Sequence, residues 1–342
     1  MFPELRTPRL TIRPVRPEDV GPLFERRNDP AVAALQAWVL PWPRERAESI
    51  VAEVMAMDGP VDGQWFMATV VERATGEIVA DLVLHPTNEL RTAEVGYSLA
   101  TKHWGKGYAT EALAAFVEWI LDALPVTRVA GSLHPDNRAS AMVLERTGFL
   151  FEGHTRLSFW LGEDNSDDWI YGMTRADQHA WRDRPRTAPH DVRLVPVTQA
   201  NKAAVLALRT HHSQQAFVAP MLQSFADAML PEIIDGAPVV PWMRAIEADA
   251  ATVGFVMLAR TTPHHPEPFL WRLLIDRLHQ HRGIASRALE LVANECRAMG
   301  DSTLLVSWVE GKGSPRPFYL ERGFVPTGRV VDGETEARLQ LG

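Results

Sequence analysis

The stretch Trp104-Gly105-Lys106-Gly107-Tyr108-Ala109 opens an apolar helical run, and 176 positions later Gln280-His281-Arg282-Gly283-Ile284-Ala285 opens another. A match at a fixed period outranks local signals, because it says that the chain is built twice. From each loop the order continues alike: a short apolar run, a turn, a second short helix and a Gly-Phe pair. Gly107 to Gly148 spans 41 positions and Gly283 to Gly323 spans 40. In both halves a strand reading runs into the glycine turn and straight into the helix. Main-chain N–H groups then converge at the positive end of a helix dipole and make a cradle for an anion. The spacing is neither G-x-G-x-x-G with an acidic ribose partner nor G-x-x-x-x-G-K-[ST], so a pyrophosphate held without a metal remains.

Outward from the loops, the halves meet at Arg182-Asp183-Arg184-Pro185-Arg186-Thr187-Ala188-Pro189-His190, a charged stretch whose prolines resist helix and strand. The expected organisation is a domain over 1–181, a linker over 182–190 and a domain over 191–342. A length of 342 residues suits two domains, and 46% hydrophobic with 23% charged residues is ordinary globular composition. Residues 1–188 carry 20 basic and 27 acidic groups, and residues 189–342 carry 15 and 16, so the net charge of -8 sits almost wholly in the first half. No Lys/Arg run reads as a phosphate-tracking stripe, which disfavours nucleic acid as a partner. No 18-residue apolar run and no leader-like N-terminus are present, so neither a membrane span nor secretion is expected. The single cysteine, Cys296, excludes an intrachain disulfide and fits a reducing cytoplasm.

Periodicity predicts, in the first half, strand 9–13, helices 17–27 and 44–57, strands 65–71, 78–84 and 93–99, helix 107–121, strand 127–133, helix 137–146 and a final strand pair ending near Met173. The second half repeats this with strand 192–196, two helices, strands 242–247, 252–258 and 269–275, helix 283–299, strand 303–308 and a short helix at 315–321. Strands in runs interrupted by helices indicate a mixed α/β (α+β) class, twice over.

With these residues in view, both halves resemble the GNAT acetyltransferase superfamily, whose signature [Q/R]-x-x-G-x-[G/A] follows the fourth strand. Gln280 to Ala285 fits it throughout, whereas Trp104 stands where Gln or Arg is usual. "HWGKGYATEAL", "LRTPRLTIRP" and "NRASAMVLERTGF" make the first half similar to the RimJ/RimL branch, which acetylates ribosomal-protein N-termini or small antibiotic-like amines. "VRLVPVTQANKAAVLAL", "WRLLIDRLHQHRGIASRALEL" and "FYLERGF" make the second similar to spermine/spermidine acetyltransferases of the BltD type. The resemblance implies two GNAT folds in tandem, each a splayed, mostly antiparallel sheet flanked by helices, and acetyl-CoA as cofactor. It implies contacts from Gly105, Lys106, Gly107, Tyr108, Ala109 and Thr110 in one half and from Gln280, His281, Arg282, Gly283, Ile284, Ala285 and Ser286 in the other. Main-chain donors around Tyr97 to Leu99 and Leu273 to Ile275 would polarise the thioester, with Asn137 nearby.

The same resemblance puts Tyr319 at the place of a general-acid tyrosine; the bland alternative is an amphipathic tyrosine packed at a helix flank. Leu144 stands there in the first half, where Ser140, three residues after Asn137, is the substitute acid, unless Asn137 merely caps its helix. Glu94 is the first half's carboxylate for drawing a proton from an ammonium, or else a solvated strand-edge glutamate. Counting from the glycine loops puts Leu270 opposite it, and Ser132 and Ser307 occupy the fifth strands, so the second half's base is unassigned. Gln214, Phe217 and Ser224 are expected at the substrate end, with Phe217 equally readable as core. Glu232, Asp235 and Glu334 would suit a polycation, yet surface carboxylates alone carry no specificity. Trp38, Trp42 and Trp65 read as core before aromatic pocket. Neither His211-His212 nor His264-His265 has metal-ligand spacing, so no metal is expected.

The expected activity is acetyl transfer from acetyl-CoA to a primary amine of a small molecule, polyamine-like or antibiotic-like. Two alternatives stay open: one half catalytic and the other a scaffold, as in tandem mycothiol synthases, or a non-catalytic acetyl-CoA-binding module. The oligomeric state is not legible.

Overall fold

The computed structural model describes residues 2–161, 163–234 and 236–342, with residue 164 described in its backbone alone. The chain forms two compact units, Met1–Asp183 and Arg184–Gly342.

In the first unit, strands β1 (Leu5–Arg6), β2 (Leu10–Pro14), β3 (Phe66–Glu72), β4 (Ile78–Thr87), β5 (Thr92–Leu99), β6 (Arg128–Leu133), β7 (Leu150–Leu161) and β8 (Asp164–Thr174) form one sheet in the order β1-β2-β3-β4-β5-β6-β8-β7. Helices α1 (Val20–Asn28), α2 (Pro30–Ala33) and α3 (Arg44–Met55) precede the central strands; α4 (Tyr108–Ala123), α5 (Arg138–Thr147) and α6 (Arg175–Arg182) follow. On α4 the buried residues Ala112, Leu113, Phe116, Val117, Ile120 and Leu121 recur at helical spacing and meet Leu10, Ile12, Leu82 and Leu84 of the sheet. Burying one such large side chain contributes about 1.5–3 kcal/mol, which fixes α4 and the loop before it. The Gly-Phe pair closes α5: Gly148 takes φ 103°, a Cβ there would lie 2.4 Å from the Trp181 ring, and Phe149 enters the core.

The second unit has α7 (Lys202–Ala207), α8 (Met221–Met229), α9 (Ile284–Ala298) and α10 (Arg316–Leu320). Its strands are β9 (Val192–Pro196), a small hairpin of β10 (Ile233–Ile234) and β11 (Ala237–Pro238), β12 (Pro241–Ala248), β13 (Ala251–Ala259), β14 (Phe269–Ile275), β15 (Thr303–Trp308), β16 (Val325–Val331) and β17 (Glu334–Gln340). The main sheet runs β16-β17-β15-β14-β13-β12-β9. Ile284, Ala288, Leu289, Val292 and Cys296 seat α9 on one face, while Val205, Leu208 and Met221 cover Phe255, Met257 and Leu274 on the other. Burial pushes the Cys296 thiol up to about 12, so it behaves as a small core hydrophobe.

Each sheet has one parallel pair, and each parallel pair is short. β5 and β6 pair only at Thr92/Arg128, Ala93/Val129 and Glu94/Ala130, and β14 and β15 only at Phe269/Leu305 and Leu270/Val306. Beyond those points the strands part and leave an edge of β5 or β14 without a neighbour. The halves differ within this feature: β14 pairs with β13 at Leu258/Leu270 and then Met257/Arg272, so Trp271 is an extra, bulged residue, whereas β5 pairs with β4 without interruption. The bulge corrects the simple count. Glu94 faces the third residue of β6, and the residue facing the third residue of β15 is Phe269 rather than Leu270.

The helix α6 was not expected. It ends at Arg182 and is started by a capping box in which Thr174 and Asp177 exchange hydrogen bonds.

Candidate active sites

The two glycine loops share one backbone path. Gly105 and Gly107 take φ 76° and 78°, and at the matching positions His281 and Gly283 take 60° and 77°. Alternating left-handed residues turn successive N–H groups into one concavity. His281 adopts a conformation that costs a residue with a Cβ about 1–2 kcal/mol, which the surrounding fold must supply. Neither α4 nor α9 receives a side-chain cap at its N-terminus, since Gly107 and Gly283 are the capping residues. The first-turn N–H groups of two long helices are thus available to an anion.

Each loop is tied to the end of its splayed strand by one side chain. Gln280 donates from Nε2 to the Ile275 carbonyl at 3.0 Å and to Gln214 Oε1 at 2.8 Å. Trp104, the apparent departure from the signature, donates its indole Nε1 to the Leu99 carbonyl at 3.0 Å. Leu99 matches Ile275, so the indole performs the same tethering.

Several predicted loop residues face away from the cradle. Tyr108 is buried; its hydroxyl donates to Glu72, which holds the phenol above its usual range, and Arg9 lies 4.7 Å over its ring. Arg282 is also buried, donating to the Thr187 carbonyl at 2.7 Å and meeting His279 Nδ1 at 2.9 Å. These side chains are structural, and what such positions offer a ligand is main chain. Lys106 accepts Arg9 through its carbonyl at 2.8 Å. Thr110, Ala109, Ile284 and Ala285 lie in the first helical turns, where their main chain forms the cradle. Ser286 accepts Arg322 Nε at 3.1 Å, and Arg322 also lies 3.9 Å over the Phe318 ring and donates to the Phe318 carbonyl at 2.7 Å. Sequence reading missed this guanidinium beside the α9 N-terminus; a lone Arg before Gly-Phe gave no signal.

In the second unit a single cavity of about 1170 Å³ joins the opened edge of β14 from Leu270 to Ile275, the loop at His281 and Gly283, Gln214, Phe217 and Tyr319. Tyr319 is 7% exposed, stacked 5.9 Å from Trp308 and edge-on to Phe318 and Phe324. Burial alone pushes its phenol far up, so the hydroxyl keeps its proton. Phe217 approaches Gly313 and lines the cavity wall. Ser224 does not: it is 1% exposed and its hydroxyl donates to the Pro220 carbonyl of its own helix at 3.2 Å. The expectation that Ser224 lines the substrate end is corrected, because a serine on the packed face of an amphipathic helix satisfies itself by back-bonding.

In the first unit the side chain of Leu144 lies over Gly131, where a Cβ would stand 3.3 Å away. Ser140 instead meets the Tyr97 hydroxyl at 2.7 Å, and Tyr97 also donates to the Ser140 carbonyl at 3.0 Å. Burial pushes the Tyr97 phenol up, partly offset by that contact. This hydroxyl pair bridges the splayed β5 and the start of α5. Asn137 caps α5, its Oδ1 accepting from Ser140 N at 3.1 Å. Glu94 accepts Ser132 Oγ at 2.9 Å just past the point where β5 and β6 part. Trp42 is buried, Trp38 donates to the Arg27 carbonyl, and Trp65 is half-exposed and stacked on His85, so the three tryptophans do not share one environment.

Uncapped helix starts beside parted strands occur in both units, a main-chain arrangement suited to an anion. Residues 9–150 match the family described as Acetyltransferase (GNAT) domain, and residues 207–324 match Acetyltransferase (GNAT) family. Over 177 residues the chain is 27% identical to the uncharacterized N-acetyltransferase YoaA of Bacillus subtilis, covering 51% of this chain and 98% of that protein. It is 30% identical over 156 residues to the FsC-acetyl coenzyme A-N(2)-transacetylase of Aspergillus fumigatus, covering 43% and 64%. Among solved structures it is similar to Mycobacterium smegmatis RimJ in complex with CoA-disulfide, at TM-score 0.43 and 22% identity over 49% of this chain and 83% of that one. The Vibrio cholerae spermidine N-acetyltransferase in complex with CoA and spermine gives 0.44 and 16%, over 49% and 97%. The chain belongs to the GNAT acetyltransferases and carries two such domains in tandem; it is an acetyl-CoA-dependent N-acetyltransferase. No helix among the described residues is long and apolar enough to cross a membrane.

Proposed function

We propose that the second half acetylates a primary amine of a small, polyamine-like molecule, and that the two units are separate functional domains. The observation that carries this reading is the continuity of the cavity of about 1170 Å³ from the glycine loop past the open edge of β14 to Tyr319, Gln214 and Phe217. Acetyl-CoA supplies an activated acetyl thioester when bound. Main-chain N–H groups from His281 to Ser286 and from Gly105 to Thr110 are the assigned holders of its pyrophosphate in the two halves. The edge of β14 that includes Leu273 and Ile275, like that of β5 around Tyr97 and Leu99, offers main-chain donors to a carbonyl oxygen. Tyr319, kept protonated by burial, is the assigned donor of a proton to the departing sulfur, and Ser140 paired with Tyr97 is its counterpart in the first half. A second reading, one working half and one scaffold, is favoured by Leu144 standing where Tyr319 stands. A reducing cytoplasm is the proposed compartment, on the buried, partnerless Cys296.

The test is to incubate the full chain with acetyl-CoA and a panel of mono-, di- and polyamines and short peptides while following free thiol. Thiol release is expected with polyamines and is expected to collapse in Tyr319→Phe. Release with peptides alone would overturn the small-molecule reading.

A further inference from the structure

We propose that Glu334, held by Ser307, is the carboxylate that receives the acceptor ammonium of the second half and takes its proton. The inference rests on the acceptor being a primary amine, as proposed above, and deepens it by assigning the base that resemblance left open.

The two halves solve one problem from opposite sides. Ser132 and Ser307 are each the fifth residue of a six-residue strand, on the face away from the core residues Leu133 and Trp308. Each lies just beyond the last parallel pair, where the strands begin to part. In the first half Ser132 donates to Glu94, which comes from β5 on one side. In the second half the position matching Glu94 is the apolar Phe269, and Ser307 donates instead to Glu334, which comes from β17 on the other side. One serine in the mouth of the splay thus orients a carboxylate in both halves, although the strand supplying it has changed. Chance placement of surface glutamates does not predict this repetition.

Glu334, Ser307 and Tyr319 line the same cavity. The other carboxylates near Glu334 are largely committed. Glu267 is paired with Arg338 at 2.8 Å and accepts Thr303, Glu336 accepts Thr327 at 2.8 Å with Arg329 at 3.7 Å, and Glu310 accepts Trp308 Nε1 and Thr335. Arg272, facing the cavity from β14, is paired with Asp227 at 2.9 Å. The cavity's other titratable lining groups are His265, Glu232, Asp332, His279, His281, Arg322 and Arg329. Glu334 answers to a neutral hydroxyl, so its charge is available to a cation. The step balances simply: an N–H bond of the ammonium breaks, an O–H bond forms on Glu334, the nitrogen keeps the freed lone pair, and the proton later passes to bulk water.

The experiment compares wild type, Glu334→Gln, Glu334→Asp, Ser307→Ala and Tyr319→Phe in the full chain, with spermidine as probe. Turnover against pH is read by thiol release, and spermidine and acetyl-CoA affinities by calorimetry. Glu334→Gln is expected to lower kcat/KM for spermidine about 100-fold at pH 7. It should recover as pH rises towards the amine's own pKa of about 10, because solvent then supplies the free base. Spermidine affinity should weaken about tenfold while acetyl-CoA affinity stays unchanged. Glu334→Asp should keep the wild-type profile at reduced rate, and Ser307→Ala should fall between the two; these variants decide the matter should Glu334→Gln fail to fold. A Glu334→Gln profile parallel to wild type, with Tyr319→Phe inactive, overturns the role of Glu334 and leaves the second-half site standing. Tyr319→Phe unchanged as well, or a wild type that neither binds nor acetylates the amine, overturns both.

Discussion

The two halves of this chain agree where main chain does the work and diverge where side chains do. The loop torsions at Gly105 and Gly107 repeat at His281 and Gly283, and even the tether to the strand end repeats with an indole in place of an amide. Beside the parted strands the halves part company: Leu144 against Tyr319, an uninterrupted β5 against a bulged β14, Glu94 against Phe269. A pyrophosphate read by N–H groups constrains torsions and leaves side chains free, whereas proton transfer depends on a particular functional group at a particular place. The halves also differ in what holds their sheets. The first buries two ion pairs, Arg13–Asp19 at 2.7 Å and Arg26–Asp81 at 2.6 Å, with Arg27 also on Asp81. In the second, the Arg272–Asp227 pair at 2.9 Å leaves each side chain about one-fifth exposed.

That last difference yields the largest expected effect. Asp19→Asn should cost the first unit about 3–5 kcal/mol, because it strands the buried Arg13 charge. In a denaturant titration the first unit's transition should move and the second unit's should not; a single shifted transition would show that the halves unfold together. Burial pushes the Asp19 carboxyl up, but Arg13, Thr69 and the Arg16 N–H together outweigh it and hold it below its ordinary value. Its stabilisation is therefore fully present above the unfolded carboxyl's range of about pH 4 and lost as pH falls below it. Acid should unfold the first unit ahead of the second, and Asp19→Asn should flatten that dependence.

Next in size, Tyr319→Phe should lower kcat for the best amine about 100-fold with acetyl-CoA affinity retained. Unchanged turnover would move the chemistry to the first half and its Tyr97–Ser140 pair. Smaller again, Gly107→Ala and Gly283→Ala should each weaken acetyl-CoA in their own half about tenfold, since a Cβ at positive φ costs about 1–2 kcal/mol. Calorimetric stoichiometry counts the cradles: two sites in the parent and one tight site in each variant are expected, and one site in the parent would make one half a scaffold. Smallest, Trp104→Gln should stay within about 0.5 kcal/mol of the parent, while Trp104→Phe should lose about 1 kcal/mol by freeing the Leu99 carbonyl.

Much of this was legible in order of residues alone. The 176-position repeat, the glycine loops and the Gly-Phe closures announce two like domains, and amphipathic spacing places α4 and α9 within a residue or two. The departure at Trp104 was visible, but its equivalence to Gln280 was not, because a shared acceptor on a strand end exists only after folding. Ser224 was misplaced because spacing cannot tell which face of α8 turns inward. The bulge at Trp271 is a matter of cross-strand pairing and leaves no mark on its own strand.

The order of residues determined what local rules govern: helix and strand period, the left-handed glycines and the two-domain count, since torsional preference and apolar periodicity are properties of neighbours along the chain. Only the tertiary structure decided which carboxylate meets Ser132 and which meets Ser307. Those partners are 38 and 27 positions away in sequence, on strands at opposite flanks, and strand pairing alone brings them within a hydrogen bond.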